Sequence, residues 1–190
     1  MKTDKSFLRA LGSLAALIGL VGLLAAMPAN AAKLSGKTIL APNSESLDAL
    51  ASLGVEVEVY GKAKVGGNGV VFPLVSGKFD PETGATKAVH KGGLTFVGTD
   101  TELTVENFVV KIGDKNVLKA SLLDGSKLRL ADLDTKKLKI KEKGEKAVVS
   151  NVTATLSKKG AKALSETFGI DEDLQGAELG TIKTKIDLNL

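Results

Sequence analysis

Two side chains of this sequence are able to hold a ligand through a phenol oxygen or a ring nitrogen. Tyr60 is the only tyrosine of the 190-residue chain, and His90 is its only histidine. A phenolate and an imidazole are groups that hold haem iron, and an imidazole also exchanges protons near neutral pH. A single histidine among glycines is more often a surface residue or a hydrogen-bonded structural one. Tyr60 and His90 are therefore candidate ligand-binding residues, and the sequence leaves open whether they meet in space.

A lysine-rich segment is the strongest local concentration of charge. Six lysines and two glutamates lie between residues 136 and 146. Two apolar residues alternate with the lysines there, which predicts a strand with one apolar and one basic face. The predicted basic strand contains Lys136, Lys137, Lys139 and Lys141. Such a strand can bind an anionic component of the cell envelope. The alternative is that the lysines only protect a sheet edge from pairing with another chain.

Patterns for catalysis and metal binding are missing from the sequence. Zero Cys and one His exclude disulfides, thiolate metal sites and any site with two imidazoles. The segment 34–38 ends in Gly-Lys-Thr, but Ala31 stands where a phosphate-binding loop needs its first glycine. The acidic residues at 132, 134 and 171–173 are typical of solvated segments. We therefore expect no catalytic residue and no metal site, and a protein that is not an enzyme.

The N-terminal segment has the three parts of a secretory leader. Three basic residues precede an uncharged run over residues 10–27, and small residues follow up to Ala31. This order predicts a signal peptide over residues 1–31, cleaved after Ala31, and a protein that is secreted or held in the cell envelope. The alternative is an uncleaved leader that anchors the chain, which is the only membrane contact we expect.

The remaining residues, 32–190, carry 23 basic and 21 acidic side chains, a net charge of +2. Arg129 is their only arginine, and few aromatic residues accompany the lysines. Because nucleic-acid recognition relies on arginine contacts and base stacking, we expect no nucleic-acid partner.

Short alternating runs broken by turn residues every eight to twelve positions dominate residues 32–190, a pattern typical of antiparallel all-β domains. Two segments favour helices instead. Asn43 or Ser44 can cap a helix over 45–53, and Ser157 can cap a helix over 158–168 that Gly169 ends. The sequence thus predicts one mainly β domain with two short helices.

Several apolar and turn positions also follow a known pattern. They read FPL at 72–74, GKFD at 77–80, HKGGLTF at 90–96, LTVENF at 103–108 and LADLD at 130–134. With these segments the chain resembles, from Leu47 to Gly180, the HtaA-like domain of actinobacterial secreted and surface proteins. The resemblance implies a two-sheet antiparallel β-sandwich with a packed helix, exported or displayed on the envelope.

The resemblance also implies haem as a cofactor, which members with the full pattern hold with a Tyr and a His. Their ligand His directly follows a Phe-x-Gly strand end, and here Phe96-Val97-Gly98 is followed by Thr99. The usual haem-ligand His is therefore lacking. We expect a non-enzymatic binding protein for haem or another small amphipathic ligand near Tyr60 and His90. The alternative is a structural or interaction module that uses the lysine-rich strand at the cell surface.

Overall fold

A computed structural model of the protein describes residues 34–188, so the predicted signal peptide lies outside the described residues. Twelve strands and two helices follow one another in this range. In chain order they are β1 Ser35–Pro42, α1 Ser44–Ser52, β2 Glu56–Tyr60, β3 Lys64–Gly66, β4 Gly69–Phe79, β5 Thr86–His90, β6 Gly93–Val97, β7 Glu102–Ile112, β8 Val117–Leu122, β9 Lys127–Asp134, β10 Lys139–Lys143, β11 Lys146–Leu156, α2 Lys158–Phe168 and β12 Glu178–Asp187. The prediction of a mainly β chain with two short helices is confirmed.

Eight of the strands form one sheet that closes on itself. Their order is β1-β4-β5-β7-β8-β9-β11-β12, and β12 pairs again with β1; every pairing is antiparallel. The predicted two-sheet sandwich is therefore corrected to a single closed sheet. The pairing of β7 with β8 completes the ring. The sequence does not predict this pairing, because alternation along a strand shows which face is buried but not which strand lies beside it.

Irregularities in the long strands give the sheet the curvature that closure needs. The pairing of β7 with β8 shifts between Glu106 and Val109, and the pairing of β11 with β12 shifts between Val149 and Val152. Asn107 and Asn151 lie at these two positions with φ of 52° and 61°. Asparagine tolerates this left-handed conformation better than most residues, and bulges bend and twist the strand that holds them.

The helix α2 has the predicted bounds, and α1 begins and ends one residue before the predicted range 45–53. The side chain of Asn43 accepts a hydrogen bond from Ser46 N–H at the start of α1. Ser157 does the same for Gly160 N–H at the start of α2, and Gly169 ends α2 in the left-handed conformation. Neither described helix has the length and apolar run that would carry it across a membrane.

β5 and β6, the strands on either side of Gly92, pair with different strands, so β2 and β4 are not neighbours in the sheet. Before Gly92, β5 pairs with β4; after it, β6 pairs with β2. Gly92 has φ of 89°, and its Cα lies against the backbone of Ala63, where a side chain would collide. β2 and β4 are not paired to each other, and side chains from both strands line the space described next.

Candidate functional site

A cavity of about 450 Å³ lies between α1, β2 and the interior of the closed sheet. Pockets for small ligands are commonly of about 300–1,000 Å³ and lined mainly by apolar side chains. Eighteen of the lining residues are apolar: Leu40, Pro42, Leu47, Leu50, Val57, Val59, Val65, Val70, Phe72, Leu94, Phe96, Phe108, Val110, Leu118, Leu130, Ala154, Leu179 and Ile182. The other five are Thr38, Asn43, Ser46, Glu58 and His90. The cavity therefore suits the apolar part of a small molecule.

Exposed apolar side chains gather at the mouth of this cavity. Leu47 on α1, Val59 on β2 and Val65 on β3 line the cavity and are 38%, 38% and 77% exposed. Among the described residues, only Tyr60 and Leu123 are further large apolar or aromatic side chains with comparable exposure. Clusters of exposed apolar residues often mark a binding site. The rim and the interior together form a continuous apolar path from solvent inward.

His90 is a buried neutral imidazole in the wall of the cavity. Its Nδ1 lies 3.0 Å from the carbonyl oxygen of Phe108, and its Nε2 lies 2.7 Å from Thr38 Oγ1. Because a carbonyl cannot donate, Nδ1 carries the proton and Nε2 accepts from the Thr38 hydroxyl. Burial lowers the pKa of His90 from its ordinary 6.5 to about 4, and the hydrogen bond to Phe108 opposes this only in part. Both ring nitrogens are thus engaged by the protein itself.

Thr38 and Thr184 continue the hydrogen-bond chain away from the imidazole. They face each other across β1 and β12, and their hydroxyl oxygens are 2.9 Å apart. Since the Thr38 proton is directed at His90, Thr184 is the donor in the second bond. Among the described residues, every buried side-chain nitrogen and oxygen has a hydrogen-bond partner. The interior polar groups therefore need no hydrogen bond from a ligand.

Charged side chains are absent from the described face of β2 that lines the cavity. Val57 and Val59 lie on that face. Glu58 lies between them and faces Thr95, which is not a lining residue, so its side chain points to the opposite face of the strand. The lining includes neither Lys nor Arg, and the N-terminus of α1, where helix N–H groups attract anions, is capped by Asn43. The lining therefore offers no cation to an anionic group.

Tyr60, the other predicted ligand residue, lies outside the lining. It is the last residue of β2, it faces Gly93 across the β2–β6 pair, and it is 37% exposed. The cavity lining contains His90 but not Tyr60. The structure therefore places one member of the predicted pair in the cavity wall and the other outside the lining.

The predicted basic strand is shorter than expected. Lys139 and Lys141 are exposed on β10, which pairs only with β11. Lys136 and Lys137 precede the strand in a turn, where Lys136 N–H donates to Asp134 Oδ1 and Leu138 N–H donates to the Thr135 carbonyl. The prediction that Lys136 and Lys137 are strand residues is thus wrong, because the Asp134 side chain stabilises a local turn instead.

Lysines on paired strands form two basic rows that cross the sheet. The pairing of the strands shows these rows, whereas alternation within one strand does not. Lys141, Val148, Lys185 and Lys37 face one another across β10, β11, β12 and β1. Three further lysines form a second row across β4, β5 and β7: Lys78, Lys87 and Lys111. None of these lysines forms an ion pair with a described residue. Like charges opposite each other destabilise a sheet, which makes both rows unusual.

The acidic segments lie at the surface. Asp132 forms an ion pair with Arg129 on the same strand, and both side chains are about half exposed. Residues 171–173 follow the end of α2 and are exposed. No group of three or more His, Asp or Glu side chains arranged for a metal ion occurs in residues 34–188.

Comparison with known proteins places this geometry in a family. The family model named HtaA matches residues 51–179. The chain belongs to the HtaA family. The match includes β2 to α2 and the first residues of β12, and thus most of the strands around the cavity. Among curated proteins, none matches the chain.

Solved HtaA structures share the fold at low sequence identity. The C-terminal domain of HtaA from Corynebacterium glutamicum superimposes with a TM-score of 0.61 at 16% identity, over 82% of this chain and 99% of that one. The N-terminal domain of the same protein gives 0.57 at 13% identity, over 82% and 98%. A domain-swapped dimer of a C-terminal-domain variant gives 0.53 at 17% identity, over 77% and 92%. These likenesses show the fold of the HtaA domain.

The position at which the HtaA resemblance implies a ligand His lies away from the cavity. Thr99 is exposed in the bend between β6 and β7 and does not line the cavity. Gly98 before it packs against the ring of Phe168 on α2. Tyr60 pairs with Gly93, at the opposite end of β6. At about 3.3 Å per strand residue, the six positions from 93 to 99 keep Tyr60 and Thr99 well apart.

Proposed function

We propose that this HtaA-family protein is an exported, non-enzymatic binding protein that takes a small amphipathic ligand into the cavity beneath α1. The observation that carries the proposal is the continuous apolar path from the exposed rim of Leu47, Val59 and Val65 to the buried interior. A soluble domain gains no stability from exposing these side chains, whereas a ligand that covers them removes their apolar surface from water.

The lining supports binding rather than catalysis. Its only titratable groups are Glu58 and His90, and they lie among eighteen apolar side chains. His90 is neutral, and its Nε2 already accepts a hydrogen bond from Thr38. A general base needs a free acceptor within reach of the proton that it removes. The lining therefore lacks the acid–base pair that a reaction would use.

Haem is the cofactor that the resemblance implies, and the residues of this cavity do not fit it. An iron ligand needs a free lone pair, but Nε2 of His90 is engaged by Thr38 at 2.7 Å and Nδ1 carries the proton donated to Phe108. Tyr60 does not line the cavity. Haem propionates are commonly paired with cations, and no lining residue is basic. We therefore assign the cavity to an amphipathic ligand that is held without metal coordination.

A fluorescence titration with N-phenyl-1-naphthylamine, a neutral apolar probe, tests the proposal. We expect saturable one-to-one binding that Leu47→Trp weakens by about tenfold, because an indole at the rim blocks the mouth. Leu123→Trp is the matched control, since Leu123 is 64% exposed and does not line the cavity. Equal binding by both variants, or no saturable binding by the native protein, would refute a ligand site in this cavity.

A haem titration of the fragment from Ala32 tests the metal-free assignment. The Soret band is followed for the native protein, Tyr60→Ala and His90→Ala. We expect no spectrum beyond that of free haem. A saturable one-to-one Soret spectrum that either substitution abolishes would show that the domain binds haem through relocated ligands.

Export is proposed from the sequence of the leader. Mass spectrometry of the protein from the culture medium or the envelope should give a chain that begins at Ala32. A full-length chain found only in the cytoplasm would contradict both export and the proposed processing.

A second candidate function is favoured by the basic rows. Lys141, Lys185 and Lys37 extend the charge of β10 across the sheet to β1, over about 14 Å at 4.8 Å per strand. This face suits an interaction module that binds an anionic polymer of the cell envelope. Retention on isolated cell wall should fall steeply between low and high salt, more so for the native protein than for Lys37→Gln/Lys185→Gln. Retention that is independent of salt would exclude this role.

A further inference from the structure

We infer that the cavity selects an uncharged amphiphile with a single apolar tail and a hydroxylated head, such as a monoacylglycerol, and discriminates against carboxylates of the same length. This inference rests on the proposed binding function and specifies the chemical class of its ligand. It is drawn from the hydrogen bonds inside the cavity and from the absence of Lys and Arg among the described residues of its lining.

The interior favours a tail that makes no hydrogen bonds. The His90 proton is donated to Phe108, the Thr38 proton to His90 and the Thr184 proton to Thr38. None of these three donors remains for a ligand in the interior, and a polar group placed there would be buried without a partner, which is unfavourable. At about 30 Å³ for each water-sized group, a cavity of about 450 Å³ accommodates roughly fifteen carbon atoms, enough for a twelve-carbon tail.

The mouth favours a head that forms hydrogen bonds but carries no negative charge. Asn43 uses its carbonyl oxygen for the helix cap, so its amide N–H groups remain as donors. Ser46 adds a hydroxyl, which can donate or accept. A glycerol head can accept from Asn43 and form a hydrogen bond with Ser46. A fatty acid or a porphyrin would bring one or two carboxylates to a lining that contains neither Lys nor Arg.

A competition experiment tests the selection. N-phenyl-1-naphthylamine bound to the native protein at pH 7.5 is displaced with monododecanoylglycerol, monodecanoylglycerol, dodecanoate or haemin, each kept below its aggregation threshold. We expect the two monoacylglycerols to differ by about fifteenfold, since each buried methylene contributes about fourfold. Dodecanoate should bind at least about tenfold more weakly than monododecanoylglycerol, because its carboxylate would lose water at a lining without a cation.

Val65→Lys identifies the source of the discrimination, because it places a cation at an exposed residue of the lining. It should bring dodecanoate to within about threefold of monododecanoylglycerol. Leu123→Lys, at an exposed position outside the lining, should leave the gap unchanged. Dodecanoate or haemin competing as well as monododecanoylglycerol would overturn this inference and leave the proposed function standing. A probe that does not bind, or that binds equally to Leu47→Trp, would overturn the proposed function and this inference with it.

Discussion

The buried imidazole makes stability depend on pH in a way that its surroundings predict. His90 has a pKa of about 4 in the folded protein because of burial, against 6.5 when exposed to water. Because the pKa of His90 is lower in the folded protein, the unfolded chain binds the His90 proton more tightly between pH 4 and pH 6.5. Stability is therefore full above about pH 6.5 and falls as the pH approaches 4. Since a tenfold difference in proton affinity corresponds to about 1.4 kcal/mol, the loss reaches about 3 kcal/mol.

Urea denaturation from pH 7.5 to pH 4 measures this loss for the native protein and for His90→Gln. Glutamine keeps one donor for Phe108 and one acceptor for Thr38 but does not titrate. Surface carboxylates such as Asp80, whose pKa is lowered by its hydrogen bonds to Thr83, affect both proteins equally and cancel in the difference. The difference in free energy of unfolding should change by about 3 kcal/mol over this range.

Two results would refute this reasoning. One is a difference between the two proteins that stays constant from pH 7.5 to pH 4. The other comes from proton NMR, in which the single histidine gives one set of imidazole signals. A titration midpoint near 6.5 in the folded protein would show that burial does not perturb the ring.

Other substitutions test the hydrogen-bond chain and the docking of α2 by urea denaturation at pH 7.5. Thr38→Val removes the donor to His90 and should lower stability by about 2 kcal/mol, whereas Thr184→Val leaves that bond intact and should cost about 1 kcal/mol or less. Equal losses would contradict the assigned donor direction. Gly160→Ala should destabilise the protein although alanine favours a helix by about 1 kcal/mol, because the added methyl group collides with the Leu130 carbonyl on β9. Lys159→Ala, at an exposed position, is its control, and a stabilised Gly160→Ala would contradict the close approach.

Local signals in the sequence located the helices well, because the groups that end a helix are adjacent to it in the chain. Asn43 and Ser157 cap the predicted helices, and Gly169 ends the second. Closure of the sheet depends instead on strands far apart in sequence, such as β1 and β12. Asn107 and Asn151 interrupt apolar runs and were the available signal for the bends, but an asparagine in a run also fits an ordinary turn.

The site was predictable only in part for a similar reason. Alternation marks Val59 as a strand residue and Leu47 as a residue of a helix face, but their meeting at one rim depends on the change of strand partner at Gly92. The sequence allows His90 to be a surface residue or a hydrogen-bonded structural one, and the structure has it buried and hydrogen-bonded at the end of β5. The hydrogen bond that engages its Nε2 comes from Thr38, 52 positions away in the chain, so no local pattern predicts it.

The chain of hydrogen bonds through His90, Thr38 and Thr184 has a consequence for the release of the ligand that we propose. A tail that left the interior would break no hydrogen bond there and would leave no buried donor without a partner. The occupied and the empty cavity would then keep the same interior hydrogen bonds. Such a site suits a protein that delivers its ligand reversibly better than one that retains it.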